Sequence, residues 1–194
     1  TSLFVPGDPT VRKGNQLIHV SSLARLQKNP SLLFRAFAEL LQWKPDLHLQ
    51  IVSDGDFSMF QEEIKQLKIE DHIVFHGTLE AKEIAEVLKG ADVFVLTSRF
   101  ENLPCVLIES ISAGVPIVST NVGGIKEIVH SNYGQLVPTE DQVALVAAIK
   151  EQLVRLDKYD SSIMHQEATA QFSYQAIGKR FSDIYEAIIS KHAS

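Results

Sequence analysis

Two glutamates eight positions apart, Glu101 and Glu109, stand where a loop turns into a helix in the stretch VFVLTSRFENLPCVLIESISAGVPIVSTNVGG, residues 93–124. Carboxylates at such a place can act as acid and nucleophile, or they can accept hydrogen bonds from hydroxyl groups. A retaining glycosidase needs its two carboxylates about 5 Å apart. Here Glu101 precedes a helix that opens near Leu103 or Pro104, and Glu109 lies about 8 Å along that helix at 1.5 Å per residue. The separation argues against a nucleophile and acid pair. The helix start itself offers unpaired amides and the positive end of a dipole, which suit a phosphate. A carboxylate beside a phosphate site makes chemical sense if it accepts from sugar hydroxyls rather than meeting the phosphate. Taken singly, each glutamate is also compatible with a solvated surface position.

The elements that must hold these residues follow from pattern. Val93 to Ser98 is a short β-branched and apolar run that reads as a buried strand, Pro104 opens a helix to about Ala113, and Gly114 stops it. Val115 to Thr120 is a second apolar strand, after which Gly123 and Gly124 allow close backbone approach. This is one βαβ unit of a parallel sheet, in which ligands sit beyond the carboxyl ends of the strands. Upstream, Gln16 to Leu23 reads as the first strand, followed by Asn29 as cap and Pro30 as first residue of a helix to about Trp43. Leu47 to Val52 is the second strand, and Ile73 to His76 the third, ending at Gly77. Thr78 can cap a helix over 80–89 that Gly90 ends. Gln135 to Val137 makes a sixth strand. Thr139 and Gln142 form a capping-box pattern for a helix through about Leu156, with Val143, Val146, Ile149 and Leu153 inward. A helix around 163–172 and a last one capped by Ser173 complete the chain. Ile177, Phe181, Ile184, Tyr185 and Ile188 form a wide apolar stripe on that last helix. The expected fold is therefore α/β: a Rossmann-like, doubly wound parallel sheet of about six strands with helices on both faces.

Composition fits a globular domain, with 45% hydrophobic and 22% charged residues in 194. A net charge of -6 argues against a general nucleic-acid surface. One cysteine, Cys105, excludes an internal disulfide and favours a reducing compartment. No apolar run reaches the ~18 residues of a membrane span. The histidines are scattered and no metal-ligand spacing is present, so no metal or cofactor is expected.

The ordered set Ser98, Glu101, Glu109, Gly114, Pro116, Gly123, Gly124 and Glu127 resembles the signature of glycosyltransferase family 4, in which E-x7-E is followed by G-x-P and GG-x-x-E. The resemblance extends over nearly the whole chain. It implies one half of a GT-B architecture that binds a nucleoside-diphosphate sugar of UDP or GDP type and transfers the sugar with retention. It implies Glu101 as the catalytic residue, on the sugar hydroxyls, and Glu109 on the ribose. Lys28 matches a lysine directed at the diphosphate, together with the helix-start residues Asn102, Leu103, Pro104 and Cys105, of which Pro104 supplies shape and no N–H. The loop Gly77, Thr78 and Leu79 occupies the place of the nucleotide base, and Gly55 belongs to a loop close to the donor. Three departures stand out. Ser22 replaces the arginine that accompanies the lysine, while Ser21 and Ser53 replace glycines; Arg25 is a candidate to compensate for the first.

The resemblance also implies a tail of an inter-domain linker over 1–15, a nucleotide-sugar-binding domain over 16–172, and a final helix over 173–194 that packs on an amino-terminal domain. That domain would bind an unknown sugar or lipid-linked acceptor, and this chain would be inactive without it. A cytoplasmic location is implied, at the inner face of a membrane if the amino-terminal domain attaches there. Two alternatives remain: a sugar-nucleotide epimerase or phosphorylase of the same architecture, and a nucleotide-sugar-binding regulatory domain without catalysis. A generic dinucleotide-binding domain is disfavoured, because no G-x-G-x-x-G follows the first strand.

Overall fold

The computed structural model describes residues 2–8, 10 and 12–192; Thr1, Pro9 and Val11 of the expected linker and residues 193 and 194 of the expected last helix lie outside them. Six strands form one parallel sheet: β1 Gln16–Val20, β2 His48–Val52, β3 Ile73–Gly77, β4 Val93–Leu96, β5 Ile117–Thr120 and β6 Gly134–Val137. Their order is β3-β2-β1-β4-β5-β6, so the chain reverses direction across the sheet between β1 and β4. That reversal is the topological switch point at which open α/β sheets leave a crevice.

The strands read as continuous apolar runs because both faces are covered, and successive side chains enter different cores. Leu17, Val93, Val95 and Val118 join the core under α2 Pro30–Trp43, α3 Gln61–Leu67 and α7 Gln142–Val154. Ile18, Phe94, Leu96 and Ile117 join the other, under α4 Ala81–Lys89, α5 Cys105–Ser112 and α8 Ser161–Phe172. Phe4, near the start of the chain, is buried in this second core. Two shorter helical segments, α1 Arg25–Lys28 and α6 Ile125–Ile128, follow β1 and β5.

Several local expectations are corrected. Asn29 occupies the turn before α2 but adopts a left-handed backbone, φ 49°, and its side chain does not cap the helix. The cap of α4 is Glu80 rather than Thr78, because Glu80 and Glu83 form a reciprocal capping box that a threonine two residues earlier cannot reach. The cap of α7 is Asp141 rather than Thr139: its carboxylate accepts from the Ala144 amide at 2.8 Å, and Glu140 before it turns left-handed. That shift rotates Val143 outward, where it is 76% exposed, while Val146, Ile149 and Leu153 are inward as expected. Ser173 does cap α9 Tyr174–His192, accepting from the Ala176 amide at 3.2 Å. The first turns of α9 lie against α8, and Phe181, Ile184, Tyr185, Ile188 and Ile189 remain about half or more exposed.

Candidate functional site

The loops after the six strands meet in sequence beyond the carboxyl ends of the sheet. Glu101, on the loop after β4, is the centre of the arrangement. Its Oε1 accepts from the Lys28 ammonium at 2.6 Å and from the Ser98 hydroxyl at 2.6 Å. The carboxylate is nearly enclosed, with 6% of its side chain exposed, and Lys28 is 16% exposed. Burying such a pair is costly unless extra hydrogen bonds complete it, and Ser98, itself fully buried, supplies one. Glu101 Oε2 has no partner among the described residues and is not sealed from solvent. An ammonium carries three N–H groups, so Lys28 can serve Glu101 and still donate to a second anion.

The loop holding Glu101 is fastened from β5. The Thr120 hydroxyl donates to the Ser98 carbonyl at 2.6 Å, and the Gly124 amide donates to the Asn102 carbonyl at 2.9 Å. Gly123 has φ 53°, and a Cβ there would lie 1.8 Å from the Glu101 carbonyl oxygen. The glycine pair thus permits the chain to approach its own loop.

The turn holding Lys28 is fastened by Arg99, which the sequence reading does not single out. Its guanidinium donates to the carbonyls of Arg25 and Leu26 at 3.0 and 3.2 Å and to Asn29 Oδ1 at 2.9 Å, and Nε donates to Glu140. Asn29 in turn donates to Glu140 at 3.2 Å. The Arg99 hydrogen bond holds the Glu140 carboxyl below the usual range. Thr97 donates to the carbonyls of Lys28 and Asn29 at 3.0 and 3.1 Å. The only sequence signal for this network is a charged residue directly after a buried strand.

Of the remaining predicted residues, Thr78 and Leu79 line one recess and Arg25 another. The first, of about 210 Å³, they share with Val20, Ser21, Val52, Ser53, Asp54 and Ile84, at the ends of β1, β2 and β3. Gly77 beside it has φ 70°, and its carbonyl accepts from the Ser53 amide at 3.0 Å. Ser22 is exposed, and its carbonyl would lie 1.9 Å from a Cβ on Gly55, so Gly55 permits the loops after β1 and β2 to touch. Arg25 lines a different recess of about 570 Å³, with Ser31, Arg35, Glu63, Arg99 and Phe100. It therefore does not share the recess of Thr78 and Leu79. The two serines that replace expected glycines turn their hydroxyls into their own loops: Ser53 Oγ accepts from the Gly55 amide at 2.9 Å, and Ser21 Oγ from the Leu23 amide at 3.1 Å.

Helix α5 begins at Cys105, one residue after Pro104, with no side chain capping it. Asn102, Leu103 and Cys105 are exposed, and no described residue accepts a hydrogen bond from their amides. Glu109 lies one turn further along α5, half-buried, with burial holding its carboxyl above the usual range. Among the described residues no cluster of histidine, cysteine or carboxylate side chains could hold a metal, and no helix is long and apolar enough to cross a membrane.

Comparison with known proteins agrees with this fold. N-acetyl-alpha-D-glucosaminyl L-malate synthase of Bacillus anthracis is 29% identical over 178 residues, which cover 89% of this chain and 45% of that protein. The GPI3 subunit of phosphatidylinositol N-acetylglucosaminyltransferase from Saccharomyces cerevisiae is 26% identical over 198 residues, 96% of this chain and 43% of that protein. The chain thus spans less than half the length of either relative. Among solved structures, a sucrose-phosphate synthase from Thermosynechococcus elongatus superposes with a TM-score of 0.83 at 22% identity, over 98% of this chain and 51% of that one. Anabaena Alr3699/HepE in complex with UDP superposes with a TM-score of 0.81 at 21% identity, over 96% of this chain and 55% of that one. These likenesses establish the Rossmann-like half of a GT-B fold. The family model described as glycosyl transferases group 1 matches residues 8–163. That match runs through all six strands and every loop of the crevice, and the chain belongs to this family, as the spacing of its glutamates implies.

Proposed function

We propose that this chain is the donor-binding half of a retaining glycosyltransferase that takes a sugar from a nucleoside-diphosphate sugar. The observation that carries the reading is the Lys28, Glu101 and Ser98 cluster beside the open start of α5. A diphosphate laid across that start would receive hydrogen bonds from the amides of Asn102, Leu103 and Cys105 and from Lys28, groups fixed before the leaving charge develops. Glu101 Oε2 would accept from sugar hydroxyls and Glu109 from the ribose. The base would enter the recess of Thr78 and Leu79, where backbone groups around Gly77 select it. The two relatives above are named for N-acetylglucosaminyl chemistry, and the Anabaena structure holds UDP, so UDP-N-acetylglucosamine is the first donor to test.

Both relatives extend well beyond the matched region, which supports a further half; by the family resemblance it would lie amino-terminal and bind the acceptor. The exposed apolar stripe of α9 suits packing on such a half, and this chain alone would then bind donor without transferring sugar. A regulatory domain without catalysis is the second reading, favoured by Ser22 in the place of an arginine. Calorimetric titration with UDP, GDP, ADP and UDP-N-acetylglucosamine tests the donor reading. Binding of one nucleotide, tightened or altered by the sugar, supports it; binding of none overturns it. Hydrolysis or transfer assays on the full-length protein then separate enzyme from regulator.

A further inference from the structure

Strands β1 and β4 are neighbours, but their pairing covers only Leu17 with Val93 and Ile18 with Phe94 before they part beneath the crevice. The Val95 carbonyl, next along β4, faces that fork. His19 takes it, with Nδ1 at 2.8 Å from the oxygen, in a fully buried position. A carbonyl can only accept, so Nδ1 carries the hydrogen, and in the neutral ring Nε2 must be an acceptor. Nε2 lies 2.7 Å from Ser21 Oγ, which therefore donates to it. The lone pairs of that hydroxyl then accept the Leu23 amide at 3.1 Å. Leu23 has a left-handed backbone, φ 53°, which a leucine adopts only when its surroundings impose it. The result is a chain of three hydrogen bonds from the rigid sheet to the turn that precedes α1 and Lys28. Burial drives the ring's pKa down to about 4; the Val95 bond and Glu101 oppose that shift and Lys28 adds to it, so the ring stays neutral across physiological pH.

We propose that His19, as the neutral Nδ1–H tautomer, is a positioning residue for the donor site: acting through Ser21, it braces the turn that delivers Lys28 to the diphosphate. The inference rests on the donor-binding reading of that site. A histidine serving only to fill the core would satisfy Val95 and would leave the turn indifferent to its Nε2, since Ser21 accepts the Leu23 amide by itself.

The test uses the 194-residue chain, UDP as ligand, and two variants. Ser21→Ala cuts the brace on the loop side and leaves the bond to Val95 intact; His19→Phe removes both ends while keeping an aromatic ring. Long-range proton–nitrogen correlation spectra should show Nδ1 protonated and Nε2 bare in the wild type. Ser21→Ala should speed hydrogen exchange at the Leu23 amide and weaken UDP binding, each by about tenfold, the worth of one lost hydrogen bond, with exchange in β1 and β4 unchanged. His19→Phe, with Ser21 kept, should also speed Leu23 exchange; an Nε2–H tautomer, or unchanged Leu23 exchange in either variant, overturns the brace. Faster exchange with unchanged UDP affinity also overturns it, since the turn would then be irrelevant to the donor. A wild-type chain that does not bind UDP defeats the donor reading itself, and a UDP-binding chain with unchanged Leu23 exchange defeats the brace alone.

Discussion

The Lys28 ammonium and the Glu101 carboxylate, 73 positions apart in the chain, lie 2.6 Å from one another in the crevice. One residue sought for the diphosphate is therefore held by the residue sought for the sugar. The pair is pre-organised, because Ser98, three residues before Glu101 at the carboxyl end of β4, donates to the same oxygen.

Replacing Glu101 by alanine should spare binding of plain UDP, since Lys28 is then released rather than lost. Affinity for a sugar-bearing donor should fall by about tenfold or more, the worth of charged hydrogen bonds to hydroxyls. Lys28→Ala should weaken both ligands and leave Glu101 buried without its counter-charge, at a further cost in stability. Parallel calorimetric titrations of UDP and UDP-N-acetylglucosamine decide this; equal losses for both ligands in Glu101→Ala would contradict the assigned roles.

Glu109 should show opposed effects on stability and on binding. Burial raises its carboxyl pKa in the folded state, so its contribution to stability is fully present below the unfolded value and is lost as pH rises through the raised folded value. Glu109→Gln removes that neutral-pH penalty and should raise Tm, on the order of 2 °C. The same change should weaken UDP binding, and wild-type affinity should decline as pH falls through the folded value and the acceptor is protonated. Thermal unfolding at pH 5 and pH 8, with calorimetry alongside, checks both signs.

Arg99→Ala should loosen the α1 turn, because four hydrogen-bond acceptors lose one planar donor. We expect a loss of about 1–3 kcal/mol in denaturant unfolding and weaker nucleotide binding. Arg99→Lys should rescue little, since an ammonium cannot reproduce the guanidinium fork.

Gly123→Ala places a Cβ 1.8 Å from the Glu101 carbonyl, at φ 53°. The cost should exceed about 2 kcal/mol and should fall on the Glu101 loop. Hydrogen exchange localised at residues 99–103, measured against β5, distinguishes this from general unfolding.

Much of the fold was legible in the chain because a parallel sheet covered on both faces writes itself as short apolar runs between helical periodicities. Strand ends agreed with the structure to within a residue or two, apart from β1, which stops at Val20 rather than Leu23. Helix caps were less legible. Thr78, Thr139 and Asn29 have the right side chains, yet a nearby carboxylate with the correct reach displaced the first two, and Asn29 was drawn to Arg99 and Glu140.

Residue type and order alone determined that two carboxylates flank the start of one helix in a βαβ unit, and the ordered set around them carried the resemblance that named the family. Spacing within one helix or one loop is a local quantity, so it can be read along the chain. Tertiary structure alone decided that Lys28 pairs with Glu101, that Arg25 lies apart from Thr78, that Gly55 and Gly123 make room for backbone, and that His19 and Arg99 brace the loops from beneath. Those relationships join segments distant in the chain, whose meeting depends on strand order and loop closure rather than on any pattern in the neighbouring sequence.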